Sequence, residues 1–236
     1  MLAAPPSPSR FNPRMRRPTR ACSSPIRAGL LATLLAYGWT AQAASDLNFD
    51  SADAVNEGAL HFLDTLPQKP VHHHQNRIRI DADSLASGWV SLSQCHDNLD
   101  AVPRAQITFR EAYVRDLRVD TFGHIEHAWI EGASVQLRNI EPGARLCLSA
   151  QTRALRNTGN GYFNLINGPY MRRFLDGYYP MRVTLDVSYP SNLLKLIDIS
   201  PAAQAGLNIA EQPGVIRVDA LFEGKLQTLI QFEKTE

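Results

Sequence analysis

The sequence has few cysteines and no apolar run long enough to cross a lipid bilayer. Three of its 236 residues are cysteine, and the main apolar stretch, residues 28–39, is twelve residues long. A transmembrane helix needs about 20 consecutive apolar residues, and no second candidate follows. We therefore expect no membrane span in the mature protein.

Motifs of well-known catalytic and nucleotide-binding sites are also missing. The sequence contains no Gly-x-Ser-x-Gly elbow, no His-Glu-x-x-His or Cys-x-x-Cys motif, and no glycine-rich phosphate loop. The neighbours Cys95 and His96 do not make a catalytic dyad, because adjacent side chains on a strand point to opposite faces. The sequence favours a protein that is not an enzyme, and an exported hydrolase without a recognisable motif is an open alternative.

The N-terminal part has the three components of a secretory signal peptide. Residues 1–27 contain six arginines and neither a lysine nor an acidic residue. The apolar stretch comes next, and Ala41-Gln42-Ala43 then supplies the small-x-small pattern at which such leaders are cut. We expect cleavage after Ala43, with Ala44 as the alternative, and hence a protein that is periplasmic or secreted.

Removal of this leader changes the charge of the protein. The whole chain has a formal net charge of +1. The six leader arginines are lost on cleavage, which leaves 18 basic and 23 acidic residues. A mildly acidic protein lacks the overall positive charge that is typical of nucleic-acid binding. We therefore expect no nucleic-acid partner.

Two cysteines remain after cleavage, Cys95 and Cys147, because Cys22 lies in the leader. In an oxidising compartment two cysteines most simply pair with each other. Closing a loop of about 50 residues contributes about 4 kcal/mol to stability on the chain-entropy model. We predict a Cys95–Cys147 disulfide, and the alternative is two separate buried thiols.

Most of the mature chain alternates between polar and apolar residues. The alternating segments are residues 77–81, 88–93, 106–110, 116–120, 134–138, 144–148, 181–189, 196–199, 215–219 and 225–232. A period of two predicts antiparallel strands with one buried face. Many short strands separated by turn residues are typical of a β-sandwich or an open barrel. We predict a single mainly β domain of this class over residues 71–236.

Two segments have the pattern of a helix. Apolar side chains recur at helical spacing over residues 51–66 and the pattern stops at Pro67, which predicts an N-terminal amphipathic helix within a helix-and-connector segment, residues 44–70. A short helix is predicted near residues 169–176, because Pro169 suits its first position and the glycine that follows suits its end.

All seven histidines lie between residues 61 and 127, and three of them are consecutive. On a strand, His72 and His74 point to the same face. His96 can join them if its strand pairs beside theirs. Imidazoles are suitable ligands for copper or zinc, so these three residues are a candidate metal site. The alternative is that they are merely exposed or hydrogen-bonded, in which case the sequence indicates no cofactor.

The stretch 162–182 combines aromatic residues with arginines, which is the composition of recognition surfaces. Its candidate binding residues are Tyr170, Arg172, Arg173, Asp176, Tyr178 and Tyr179. They predict an exported, non-enzymatic binding or structural protein that recognises an envelope protein or a glycan. Two alternatives remain: a periplasmic copper- or zinc-binding protein that uses the histidines, and a stretch whose aromatic rings only close one end of the sandwich.

Overall fold

The computed structural model describes residues 58–235, in which two β-sheets share one hydrophobic core. In chain order the strands are β1 (His61–Phe62), β2 (His72–Arg79), β3 (Val90–Leu99), β4 (Arg104–Thr108), β5 (Val114–Glu131), β6 (Ser134–Thr152), β7 (Leu155–Gly159), β8 (Tyr162–Tyr170), β9 (Arg173–Phe174), β10 (Gly177–Tyr178), β11 (Met181–Ser188), β12 (Leu194–Ser200), β13 (Leu207–Gln212), β14 (Val215–Glu223) and β15 (Leu226–Lys234). The predicted class, mainly β with several antiparallel sheets as in a sandwich or open barrel, is confirmed.

The larger sheet has nine strands and the smaller has four. The order in the larger sheet is β1-β14-β11-β2-β3-β6-β4, with β13 beside β14 and β5 beside β6. The order in the smaller sheet is β12-β15-β8-β7, while β9 and β10 pair separately. The pairing differs from the prediction in one respect, because β2 and β11 run parallel. A chain excursion of about a hundred residues separates these two strands, and it returns the chain to the same end of the sheet, which a tight hairpin cannot do.

The main core lies between the two sheets. Val183 and Ile216 of the larger sheet and Phe163 and Phe232 of the smaller sheet are buried in one cluster. A second apolar cluster is centred on β6 and packs under β4 and β5. Each fully buried apolar side chain stabilises the fold by roughly 1.5–3 kcal/mol. The apolar residues of the alternating sequence pattern are therefore the residues that the two sheets bury.

The predicted helix over residues 51–66 is wrong for the part that the structure describes. Its first seven residues lie outside the described residues, and β1 forms against β14 farther along. Leu60 and Phe62, two positions apart, both pack against the main core, which is the period of a strand. Leu66, which the predicted helical stripe would bury, is 63% exposed.

The predicted helix near residues 169–176 is also wrong. β8 continues through Pro169 to Tyr170, which lies opposite Leu226 of β15. β9 and β10 then pair, with Arg173 opposite Tyr178. Proline and glycine suit turns as well as helix ends, so the local pattern did not distinguish the two. Hydrogen bonds to β15 and burial of the Tyr170 ring favour the strand.

The structure contains a helix that the sequence pattern did not predict, α1 (Ala82–Ser87), between β2 and β3. Asp81 and Ser84 form a capping box at its start. Gly88 ends it in the left-handed conformation, with φ of +75°. A 3-10 turn spans Glu111–Tyr113. Within residues 58–235, no helix has the length and apolar character needed to cross a membrane.

Cys95 and Cys147 form a disulfide between neighbouring strands, which confirms the prediction. The two residues lie directly opposite each other on β3 and β6. The bond therefore joins strands within the larger sheet and does not connect the two sheets.

Candidate functional site

Two neighbouring strands bring the three candidate histidines together. β2 and β3 are antiparallel, in a register that sets His74 directly opposite His96. His72 is two residues before His74, so all three side chains project from one face of the sheet. The ring centroids of His74 and His96 are 4.3 Å apart, and those of His72 and His96 are 5.2 Å apart. The three imidazoles therefore converge.

A chain of hydrogen bonds orders two of these rings. His96 Nε2 lies 2.6 Å from Gln94 Nε2, and His96 Nδ1 lies 2.9 Å from His72 Nε2. An amide nitrogen can only donate, so Gln94 donates to Nε2 of His96. In neutral His96 the proton is then on Nδ1, which donates to His72.

A second chain of hydrogen bonds connects the histidines to the stretch 162–182. His74 Nε2 donates to Oδ1 of Asn76 at 2.9 Å, and Nδ2 of Asn76 donates to the Tyr170 hydroxyl at 2.8 Å. The Tyr170 ring also packs edge-on against His74, with centroids 5.0 Å apart. Burial raises the pKa of Tyr170, so its hydroxyl keeps its proton. Asn76 and Tyr170 are buried, and each has a partner, as buried polar groups require.

All three imidazoles are neutral at pH 7. Burial lowers the pKa of His72 to about 4 and that of His74 to about 3. It also lowers the pKa of His96 well below its usual value. The rings add to the effect because a positive charge on one disfavours protonation of the next. Neutral imidazoles can bind a metal ion or exchange hydrogen bonds with an uncharged group.

The arrangement of the histidine cluster does not by itself make a metal site. Within residues 58–235, no group of three or more His, Cys, Asp or Glu side chains is placed to hold a metal ion. Two of the nitrogen atoms in question, Nε2 of His72 and Nδ1 of His96, face each other at hydrogen-bond distance. A metal would have to replace that hydrogen bond. The copper or zinc site stays a prediction.

The three histidines line a cleft of about 1060 Å³, which we call the histidine cleft. Its other lining residues come mainly from β2, β3, β4, β6 and the end of β8, and from the segments that follow β3, β4, β6 and β8. Uncharged polar side chains share the surface with apolar ones, which include Ile78, Leu92, Leu99, Val102, Ile107, Leu137, Ile140 and Met181. Its size and its mixed lining are those of small-molecule binding sites.

Half of the candidate residues from the stretch 162–182 line the same cleft, namely Tyr170, Arg172 and Arg173. Arg172 donates to the Asp100 carboxylate from Nε at 3.0 Å and from Nη2 at 2.5 Å. Phe174 also lines the cleft and is 38% exposed. The two candidate groups, far apart in sequence, thus belong to one site.

The other three candidates from this stretch, Asp176, Tyr178 and Tyr179, are not among the residues that line the cleft. Tyr178 is 8% exposed, and the ammonium group of Lys225 lies 5.4 Å from its ring centroid. Tyr179 donates its hydroxyl to Asp176 at 2.5 Å. Tyr178 therefore packs as part of the protein interior.

Sequence reasoning missed three residues of the site: Asn76, Gln94 and Asp100. Asn76 and Gln94 lie opposite each other on β2 and β3, two pairs beyond His74 and His96 and on the same face of the sheet. The sequence did contain one indication of Asn76 and Gln94: they are polar residues at positions where the alternating pattern of β2 and β3 places the buried face. Asp100 lies in a stretch with turn composition, and nothing local indicates that its partner is Arg172.

Arginines are concentrated around the histidine cleft. Residues 58–235 contain 18 basic and 18 acidic residues. Six of the basic residues line the cleft: Arg104, Arg110, Arg153, Arg156, Arg172 and Arg173. Asp100 is the one acidic residue among the described residues of the lining. Residues 58–235 together have no net formal charge, but their cleft is positively charged.

Comparisons with known proteins do not identify a family. No protein-family model matches the sequence, and no curated protein matches it. Among solved structures, a mutant of a two-domain M1 zinc metallopeptidase bound to L-tryptophan is similar, with a TM-score of 0.39 and 12% sequence identity. The similarity covers 75% of this chain and 43% of that chain, less than half its length. A likeness this weak carries no argument about function.

Proposed function

We propose that this protein is an exported, non-enzymatic binding protein that holds a small amphipathic molecule in the histidine cleft. The observation that carries the proposal is the convergence of two candidate groups on one cleft. The histidines of β2 and β3 form one part of its lining, and Tyr170 and Arg172 form another. The proposed ligand differs from the envelope protein or glycan expected from the sequence, because it must be small enough to fit inside the cleft.

The chemistry of the lining supports binding. Apolar walls gain free energy when they are removed from water by a ligand, and the polar groups can orient that ligand. The ring nitrogens of His96 are both engaged, with Gln94 and His72, and Asp100 is held by Arg172. These groups are arranged to stabilise one another, which is unlike a base placed against a nucleophile.

Export is supported by the disulfide, because disulfides persist in oxidising compartments outside the cytoplasm. The predicted leader itself, residues 1–43, lies outside the described residues. Its sequence pattern is the reason for which we propose that the protein is exported.

The proposed function can be tested with a neutral apolar dye. N-phenyl-1-naphthylamine, titrated into the purified protein, should show saturable fluorescence enhancement at one site. Ala105 lines the cleft, and Ala105→Trp should reduce the affinity about tenfold or more, which corresponds to about 1.4 kcal/mol. Ala86→Trp, on the exposed side of α1, is the matched control and should bind like the parent. Absence of saturable binding to the folded parent protein would overturn the proposal.

A copper- or zinc-binding protein is the second candidate, favoured by the three neutral imidazoles in mutual contact. The test is calorimetric titration of tag-free, chelator-dialysed protein with Cu²⁺ and Zn²⁺. The candidate requires a dissociation constant below about 10 μM, about −7 kcal/mol, and loss of binding in His72→Ala/His74→Ala. His61→Ala is the control. Equal binding by the double variant would remove this candidate.

A further inference from the structure

We infer that the ligand of the histidine cleft is an anion with an apolar body, in which a carboxylate, sulfonate or phosphate group is attached to an aliphatic or aromatic part. The inference rests on the proposed function and adds the charge and chemical class of the ligand. Its basis is the arginine lining together with the apolar wall.

The cleft arginines differ from the other arginines in their ion pairs. Within the described residues, Arg172 is the one cleft arginine with a carboxylate within 4.0 Å. Of the eight arginines elsewhere in residues 58–235, five have such a partner: Arg115, Arg138, Arg145, Arg182 and Arg217. The cleft therefore retains positive charge that is not compensated by described residues. An anion that enters it gains from this field.

Backbone contacts through Tyr113 bring two of these arginines, Arg110 and Arg153, close together in the fold. Tyr113 donates its N–H to the carbonyl of Arg110 at 2.8 Å, and Arg153 donates its N–H to the carbonyl of Tyr113 at 3.0 Å. All three residues line the cleft. Neighbouring guanidinium groups match carboxylate and phosphate oxygens, which they bind through paired N–H donors. This end of the cleft is the proposed headgroup site.

The rest of the lining is suited to an apolar body. Leu99, Val102, Ile107 and Phe109 line the cleft and are only partly buried, so they contribute apolar surface to it. An inorganic anion would leave that surface in contact with water, whereas an alkyl or aryl group would cover it and gain free energy from its burial. The apolar part of the lining therefore favours an anion with an apolar body over an inorganic anion.

A ligand series of constant chain length tests the charge. Dodecanoate and dodecyl phosphate, below their micelle concentrations, should displace the neutral dye at concentrations at least about tenfold lower than dodecyl maltoside or dodecyltrimethylammonium. Inorganic phosphate alone should displace little dye. The advantage of the anions should shrink as salt is added, because exposed charges are screened. The two anions together distinguish a carboxylate from a phosphate headgroup.

A charge-matched pair of variants tests the site. Arg110→Gln/Arg153→Gln should weaken binding of the anionic amphiphiles about tenfold or more and should weaken binding of the neutral dye much less. Arg77→Gln/Arg79→Gln removes two equal charges from exposed positions of β2 outside the cleft. It should leave both affinities as in the parent.

Three results would overturn the inference, and they differ from failure of the proposed function. If the dye binds but the anions bind no more tightly than the neutral amphiphile, the ligand is not an anion. If both double variants lose the same affinity, the cleft is not the site. If the anions bind only after Asp46, Asp50, Asp53 and Glu57 are changed to amides, the chain's own acidic segment is the occupant. If no amphiphile or dye binds at all, the proposed function itself is wrong.

Discussion

The guanidinium group of Arg172 and the carboxylate of Asp100 form two parallel hydrogen bonds, at 3.0 and 2.5 Å. Arg172 lies two residues after the end of β8, and Asp100 directly follows the last residue of β3. The pair therefore ties the segment after β8 to the strand that carries His96. The two side chains are 21% and 29% exposed, so water screens them less than it screens a surface ion pair.

Loss of either partner of this pair should destabilise the protein. Arg172→Ala or Asp100→Ala should lower the free energy of unfolding by about 1–2 kcal/mol, because the remaining charge loses its hydrogen bonds in a partly buried place. Urea denaturation of both single variants and the double variant gives the coupling energy. Arg217→Ala, which removes a largely exposed contact of 3.6 Å to Asp186, should cost less than about 0.5 kcal/mol. Strict additivity in the double variant would contradict the prediction.

The stability of the protein should fall on acidification because of the histidine cluster. The pKa of His72 is lowered to about 4 and that of His74 to about 3, whereas an unfolded histidine titrates near about 6.5. Between those values the unfolded chain binds protons that the folded chain does not. The stabilisation is therefore complete above about pH 6.5 and is lost as the pH falls, by up to about 1.4 kcal/mol per pH unit for each histidine.

Urea denaturation from about pH 7.5 to about pH 4.5 measures this slope. His74→Gln should flatten the slope, because one of the shifted groups is gone. His61→Gln removes an exposed imidazole outside the cluster and should keep the slope of the parent. An unchanged slope in His74→Gln would show that the cluster does not control the acid response.

The two tyrosines at the end of the stretch 162–182 should affect stability more than ligand binding. Tyr178→Ala removes a buried ring and should cost about 2–4 kcal/mol. Tyr179→Ala removes an exposed hydrogen bond to Asp176 and should lower the melting temperature less than Tyr178→Ala does. Melting temperatures and dye affinities measured together separate the two roles. Loss of dye binding with an unchanged melting temperature would instead make these tyrosines recognition residues.

The disulfide should leave no free thiol in the mature protein. A thiol count in denaturant without reductant should give zero, and two after reduction. Cys95→Ala/Cys147→Ala should lower the free energy of unfolding by about 2–4 kcal/mol, because the bond closes a loop with a sequence separation of 52. Two reactive thiols in native, unreduced protein would contradict the bond.

Cleavage of the leader should be visible at the N-terminus of the protein made in its own host. Edman sequencing of envelope material should begin at Ala44, or at Ser45 if the alternative site is used. The basic segment followed by twelve apolar residues is the physical reason. An uncut N-terminus on cytosolic protein would contradict export.

The β class was predictable because a strand with one buried face repeats every two residues, and β11 and β15 show that period in their burial. The helix prediction over residues 51–66 failed because apolar residues there also fit the period of a strand, and the prediction near residues 169–176 failed because proline and glycine suit turns as well as helix ends. Leu60 and Phe62 have the spacing of a strand, and the pairing of β1 with β14 decided in favour of a strand over a helix. That partner strand lies at the far end of the sequence, so no local pattern could reveal it.

The histidine site was predictable only in part. That His72 and His74 share a face follows from strand geometry alone. That His96 joins them depends on the register of β2 against β3, because a shift of one residue would turn its side chain to the other face. Gln94 and Asn76 became visible as partners only through the same register.

The amino-acid sequence by itself determined the β class, the disulfide partners and the expected leader, because each depends on local periodicity, on composition or on a count of two cysteines. The tertiary structure alone decided that the histidines, Tyr170 and the arginines surround one cleft. Those residues meet through strand pairing between distant segments and through contacts such as Arg172 with Asp100. The free energy of such contacts is a property of the folded arrangement and leaves no periodic signal along the chain.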